Sequence, residues 1–236
     1  MKKVIAFTLY KAPTNWEKEN ETNHLKYING IKSNLELASQ YYPDWVVYLY
    51  HNIELDENLK NLLSEYENLE LKFVDDYTVS AMQWRFLPQD DPTVELFISR
   101  DLDSRITKRE SVSVNEWIQS GKKLHVMRDH PHHNYFILGG MWGMRKIENF
   151  NMSESCREWN LSKGYIFEKD WYNKWWDMNF LEEIIWPKLC NDIYENASFW
   201  CKTDYCKQFT EELDDRHFVG EIYLENGERW YHYTMI

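Results

Sequence analysis

Through the first hundred residues, four short apolar runs alternate with segments of helical periodicity, and the fourth run ends in a pair of aspartates. Lys3–Tyr10, Trp45–Tyr50, Leu69–Val74 and Val94–Ser99 are rich in β-branched and aromatic residues and read as buried strands. Between them, Leu25, Ile28, Ile31, Leu35 and Ala38 give Asn23–Tyr42 a helical face, stopped by Tyr42-Pro43-Asp44. Leu59, Leu62, Leu63 and Tyr66 do the same for Asp56–Leu69, and Met82–Pro88 is a helical or loop segment. This order predicts a mostly parallel sheet covered by helices.

The second half is less regular. Val114, Trp117 and Ile118 predict a helix over Ser111–Ser120, and Leu124–Met127 is strand-like. Ile137–Met144 reads as a glycine-punctuated strand where backbone can approach a ligand closely. Phe180–Cys190 is helical, and Phe218–Tyr233 predicts a hairpin turning at Asn226-Gly227. No fixed-period repeat and no linker divides the chain, so one α/β domain with an α+β C-terminal extension is expected over residues 1–236.

Composition narrows the function. At 43% hydrophobic residues over 236 positions the chain can bury a real core, which excludes intrinsic disorder. The longest uncharged apolar stretch, Trp45–Tyr50, is far short of the roughly 18 residues of a membrane span. Met1–Phe7 has a basic start, but Thr8, Tyr10 and Lys11 break its apolar run, and a first strand is expected rather than a leader. A net charge of −12 argues against a nucleic-acid partner held on a general basic face, while leaving room for a small phosphorylated ligand. Cys156, Cys190, Cys201 and Cys206 contain no CxxC pair and read as reduced thiols of a cytoplasmic protein. Zinc ligation by Cys201, Cys206 and a distant histidine is disfavoured by the spacing. Aromatic residues reach 17%, which fits either core filling or stacking on sugars and bases.

The sharpest feature is Phe97-Ile98-Ser99-Arg100-Asp101-Leu102-Asp103-Ser104-Arg105. In open α/β sheets, ligands collect at the carboxyl ends of strands. Two carboxylates there make a hard oxygen site for Mn²⁺ or Mg²⁺, whose shell a diphosphate and water complete. The plain alternative is a solvated turn, paired with Arg100 and Arg105. Arg128-Asp129-His130-Pro131-His132-His133 places three histidines in four residues, for phosphate or metal contact or simply as a polar loop. No HExxH pattern is present, which rejects a zinc hydrolase.

The Val4–Tyr10 strand, Tyr42-Pro43-Asp44-Trp45, Trp84-Arg85-Phe86-Leu87-Pro88 and the Asp-x-Asp, taken in order, resemble nucleotide-sugar-dependent glycosyltransferases of the GT-A fold. Small bacterial and giant-virus members are most similar. Arg109-Glu110, His125-Val126-Met127-Arg128-Asp129-His130-Pro131 and Gly139-Gly140-Met141-Trp142-Gly143 match three further elements of that group, over roughly residues 3 to 220.

The resemblance implies a nucleotide-binding half over 1–105 and an acceptor-side half over 106–236. It implies that Asp103 holds the ion and that Asp101 touches ribose or metal. Thr8, Leu9 and Tyr10 then meet base and ribose, and Arg85 lies on the donor face unless it is a structural ion pair. Gly139 and Gly140 approach sugar hydroxyls, and Trp142 and His130 lie on the acceptor side, with core packing the competing role for Trp142. Asp177, in Trp176-Asp177-Met178-Asn179-Phe180-Leu181, is a general base or a helix cap, with Met178 where glutamine is usual. Where the group carries His-Asp-Ser, the nearest match in this chain is Glu195-Asn196-Ala197-Ser198, which lacks the histidine, so His217 is the substitute candidate for third metal ligand. The activity so implied is transfer of a sugar from a nucleotide sugar, uridine diphosphate by preference, to a hydroxyl of a glycan or other acceptor. Two other classes compete. A nucleotidyltransferase is opposed by the absence of glycine in Leu9-Tyr10-Lys11-Ala12-Pro13, and a non-catalytic carbohydrate- or nucleotide-sugar-binding module is compatible with the aromatic content.

Overall fold

Successive side chains of a strand point to opposite faces, and in the first strand both sets are buried. In the computed structural model, which describes residues 1–10, 21–55, 57–166, 175–213 and 217–230 and only the backbone of 21–25, that strand is β1 (Lys2–Leu9). Lys11-Ala12-Pro13, the Leu25 side chain, Asp56 and the end of the expected hairpin at Tyr233 lie outside the described residues.

Ile5, Phe7 and Leu9 face a layer made by α1 (Glu21–Tyr41), α2 (Glu57–Ser64) and, further along the sheet, α3 (Lys108–Ser120). Val4 and Ala6 face the opposite layer, which holds Trp84 and Phe86 of a 3₁₀ segment (Ala81–Asp90), α4 (Met152–Ser162) and α5 (Trp176–Phe180). The expected α/β architecture with helices on both faces is therefore present.

The remaining strands are β2 (Val46–His51), β3 (Leu69–Phe73), β4 (Val94–Ser99), β5 (Leu124–Arg128), β6 (Trp142–Arg145) and β7 (Ile193–Ala197). They form one seven-stranded sheet in the order β3-β2-β1-β4-β6-β5-β7. β6 alone runs antiparallel, against β4 and β5. From β1 the chain crosses to β2 on one side, and β4 lies on the other. That reversal opens a crevice at the carboxyl ends of β1 and β4, where a ligand belongs in such a sheet.

The expected C-terminal extension is built into the same sheet, where β5, β6 and β7, with β6 antiparallel, continue β1–β4. The second half departs from expectation in three places. The helix expected over Phe180–Cys190 starts earlier as α5 and passes through a π turn (Leu181–Ile185) into α6 (Trp186–Leu189). Residues 226–227 do turn, with Gly227 at φ 80°, and among the described residues a single Tyr223–Arg229 bridge flanks the turn. Cys201 and Cys206 are joined in a disulfide, with Cα atoms 5.6 Å apart, so only Cys156 and Cys190 are free thiols. The cytoplasmic expectation loses that part of its basis. Among the described residues no helix is long and apolar enough to cross a membrane.

Two buried histidines make the fold acid-sensitive. His125 on β5 stacks on Trp117 at 5.3 Å and shares a 3.1 Å hydrogen bond between its Nε2 and Asn196 Oδ1. Burial pushes its pKa down to about 3, against Asn196, which favours the charged ring. Burial, followed by repulsion from His130, His132 and Arg128, does the same to His133, also to about 3. Both folded values lie below that of the unfolded chain, so the unfolded state takes up protons first. Their stability contribution is complete above about pH 6.5 and is lost as pH falls toward 3. Urea denaturation should therefore show a loss of about 2 kcal/mol per histidine between pH 7 and pH 5. His125→Gln should remove about half of that slope; an unchanged slope would refute the assignment.

Candidate active site at the carboxyl ends of β1 and β4

The Asp-x-Asp turn leaves β4 at Ser99 and is held from one side by α1. Lys26, Gly30 and Asn34 recur at four-residue spacing, which stacks them on one helix face. Lys26 Nζ donates to Asp103 Oδ2 at 2.8 Å. Asn34 donates to the Ser104 carbonyl and accepts from Ile106 N–H. A Cβ on Gly30 would lie 1.8 Å from the Leu102 carbonyl oxygen, so only glycine lets the helix come this close. The apolar spacing of α1 is visible in the sequence, and the i, i+4, i+8 recurrence of Lys26, Gly30 and Asn34 beside it is the sequence signal for this contact.

Arg85 is the centre of the site. The 3₁₀ segment buries Trp84 and Phe86 on either side of it and turns its guanidinium toward the strand ends. Nη1 donates to Asp101 Oδ1, and Nη2 donates to Asp177 Oδ2 at 2.8 Å. Burial works against the charge, but the two carboxylates outweigh it and hold the Arg85 pKa above its ordinary value. Asp177 is raised by burial in spite of Arg85. Asp103 is raised by burial, against the pull of Lys26 and with repulsion from Asp101. Tyr10, packed edge-on against Trp84, has its phenol pKa raised first by burial and then by Asp177, Asp101 and Asp103, with Arg85 opposing. Its hydroxyl thus shares the field of the same charges.

The glycine pair closes this triad. A Cβ on Gly139 would sit 2.0 Å from Asp177 Oδ2 and 2.5 Å from Arg85 Nη2; one on Gly140 would sit 1.9 Å from Asp101 Oδ2. The pair forms a turn ahead of β6 rather than part of a strand, and what presses on it is the ion triad.

Arg85, Asp101, Asp177, Gly139, Gly140 and Tyr10 therefore converge. Other expected site residues do not join them. The Leu9 side chain packs into the α1–α2 core, while Thr8 is half-buried in register with Tyr50. Trp142 is 0% exposed, wedged between Phe86 and Phe97, and offers no open face to a sugar; core packing is its role. His130 is buried, with its ring stacked on Phe218 at 4.5 Å. Asp177 is not a helix cap, since Trp175 occupies that position. His217 Nδ1 lies 2.9 Å from both Glu221 Oε2 and Tyr223 Oη. Among the described residues no three His, Cys, Asp or Glu side chains gather as a metal cluster, so His217 is not joined to Asp101 and Asp103.

The two carboxylates nevertheless suit a hard divalent cation. Asp101 is 45% exposed, and Asp103 already holds a positive group, the Lys26 ammonium, on one oxygen. One or two carboxylates completed by phosphate and water is the usual Mg²⁺ arrangement.

No family model and no curated protein matches the sequence. Among solved structures, S. aureus TarS is similar at 16% identity and TM-score 0.38, over 54% of this chain and 21% of that one. The glycosyltransferase GlyE of Streptococcus pneumoniae is similar at 13% and 0.48, over 81% and 44%. The galactosyltransferase LgtC is similar at 11% and 0.49, over 82% and 73%. The chain thus spans about a fifth of TarS and less than half of GlyE. Likeness this distant carries no weight for chemistry; the charges at the strand ends do.

The two glycines should respond differently to a methyl group. Gly140→Ala displaces Asp101, which can swing outward, and should cost about 1 kcal/mol. Gly139→Ala presses on two buried groups and should cost about 3 kcal/mol. Urea denaturation of both variants checks the order, and equal losses would contradict the packing described.

Proposed function

We propose that the protein is a glycosyltransferase of GT-A type that moves a sugar from a nucleotide sugar to an acceptor hydroxyl. One observation carries this reading. A buried guanidinium links the first carboxylate of an Asp-x-Asp turn to a second, basic carboxylate, at the switch point of a mostly parallel sheet.

In this reading the donor lies over the ends of β1 and β4, with uridine the preferred base beside Tyr10. Asp101 and Asp103 are the residues that would hold Mn²⁺ or Mg²⁺, and the bound ion would neutralise charge on the diphosphate. Arg85 orients Asp101 and Asp177 toward the same crevice. The acceptor oxygen attacks the anomeric carbon, and the bond to the diphosphate oxygen breaks with its electron pair leaving on the nucleoside diphosphate. Asp177 takes the acceptor proton, and burial suits it to this by raising its basicity.

Calorimetric titration with UDP and GDP, with and without Mn²⁺, tests the donor side. UDP should bind more tightly than GDP, Mn²⁺ should strengthen it, and Asp103→Asn should abolish the Mn²⁺ dependence. Failure of every nucleoside diphosphate to bind would overturn the reading. On the acceptor side, Asp177→Asn should lower kcat by roughly 10²–10⁴ with donor affinity kept. The acid limb of the kcat profile should lie above the ordinary aspartate value of about 4, since the base works only when ionised. Wild-type turnover in this variant would remove Asp177 from the mechanism.

A further inference from the structure

Two chain segments leave the Arg85–Asp177–Gly139 cluster and meet again at the surface. Trp175 lies two residues before Asp177, within about 7 Å of chain, and Tyr135 lies four residues before Gly139. Their rings stack, with centroids 5.3 Å apart and planes 19° from parallel. Trp175 is nevertheless 50% exposed, so the stack lies within reach of a ligand from solvent.

The backbone under this ring is unfavourable. Trp175 has φ 80° and ψ −2°, the left-handed region, where a bulky side chain is an outlier. The other non-glycine residue with positive φ among those described is Asn149, a type that tolerates it. At Trp175 glycine would serve the backbone better, so the indole is held there against local preference. Strained positions of this kind cluster at ligand sites. Tyr135 is anchored from below, because its carbonyl accepts from Arg128 Nε at 2.6 Å and Arg128 is itself fully buried against Glu195.

We infer that the Trp175–Tyr135 stack is a platform for the apolar C–H face of a pyranose ring, and that this ring belongs to the acceptor. The inference rests on the glycosyltransferase reading for the word acceptor, and on the structure alone for the platform. An indole offers a flat apolar face that complements the C–H side of a sugar. Its place beside Asp177 would bring the hydroxyls of a stacked ring toward the base. A nucleobase could also stack on an indole, but the donor base is expected at the end of β1 beside Tyr10.

Saturation-transfer NMR with methyl β-D-glucopyranoside, methyl β-D-galactopyranoside and methyl α-D-mannopyranoside tests the platform, with calorimetry of UDP in parallel. The wild type should transfer saturation to ring C–H protons of at least one glycoside. Trp175→Gly, whose backbone suits glycine, should fold at least as well and bind that glycoside about tenfold more weakly. Trp175→Phe should fall between, and UDP affinity should be the same in all three proteins. The inference is overturned if no glycoside binds the wild type, if Trp175→Gly binds it equally well, or if UDP affinity falls with the indole. UDP binding without any glycoside binding removes the platform and leaves the glycosyltransferase reading standing. Glycoside binding that depends on Trp175, with no nucleotide binding, does the reverse.

Discussion

Arg85 must sit in a nearly dry place and remain charged. A lone buried guanidinium is costly, and what offsets the cost is a carboxylate on each side, Asp101 from the turn after β4 and Asp177 from α5. Those two residues are 76 positions apart (177 − 101), and among the described residues no backbone hydrogen bond joins them. Arg85 aligns them, and the absence of side chains at Gly139 and Gly140 leaves room for all three. The crevice owes its geometry to this ion triad, and the sheet supplies the rigid edge on which it is built.

The same device recurs along the strand ends. Arg100 at the end of β4 pairs with Glu110 in α3, and both are nearly inaccessible. Arg109, the neighbour of Glu110, pairs through two nitrogens with Asp129, just past β5. Arg128, beside Asp129, pairs with Glu195 in β7. The Arg-Glu and Arg-Asp dipeptides that stand out in the sequence thus interlock, each residue reaching a different element. Buried pairs of this kind add little net stability, but removing one partner strands the other at a cost of about 3–5 kcal/mol. Their effect is to specify which loop crosses which strand end.

What could be read from the sequence was what depends on local pattern. β4 has the expected limits, Val94–Ser99, and the other early strands differ by a residue at their ends, because β-branched runs bounded by turn residues identify themselves. β7 escaped notice because Tyr194, Glu195 and Asn196 are polar, and what buries them, Arg128 and His125, lies some 70 residues away. Helix α4 has local signals of its own: Asn151 caps Glu154 N–H, and Met152, Cys156 and Trp159 form a buried face. Of the candidate site, the residues that meet through charge were legible as a set. Trp142 was misplaced because an indole beside glycines looks the same in sequence whether it faces a sugar or a core. The Cys201–Cys206 pair was missed because a bridge closed across a loop follows no CxxC rule.

The two aspartates of the turn end up with different work. α1 covers one side of the turn, and on the other Tyr223 N–H donates to the Asp103 carbonyl at 2.7 Å. That second segment is itself tied down where Val219 N–H donates to Asp129 Oδ2 at 3.0 Å, so the pairing network of the strand ends reaches the turn from behind. Both carbonyls are held, Asp101's by Ser104 and Asp103's by Tyr223, but the Asp103 side chain is shielded, 11% exposed and paired with Lys26, while the Asp101 side chain stays 45% exposed against Arg85. In the proposed reading a cation would meet Asp101 in the open, while Asp103 keeps the Lys26 ammonium on one of its two oxygens. The interior carboxylate is thus fixed by α1 and Lys26, and the more exposed one is tied to the ion triad through Arg85.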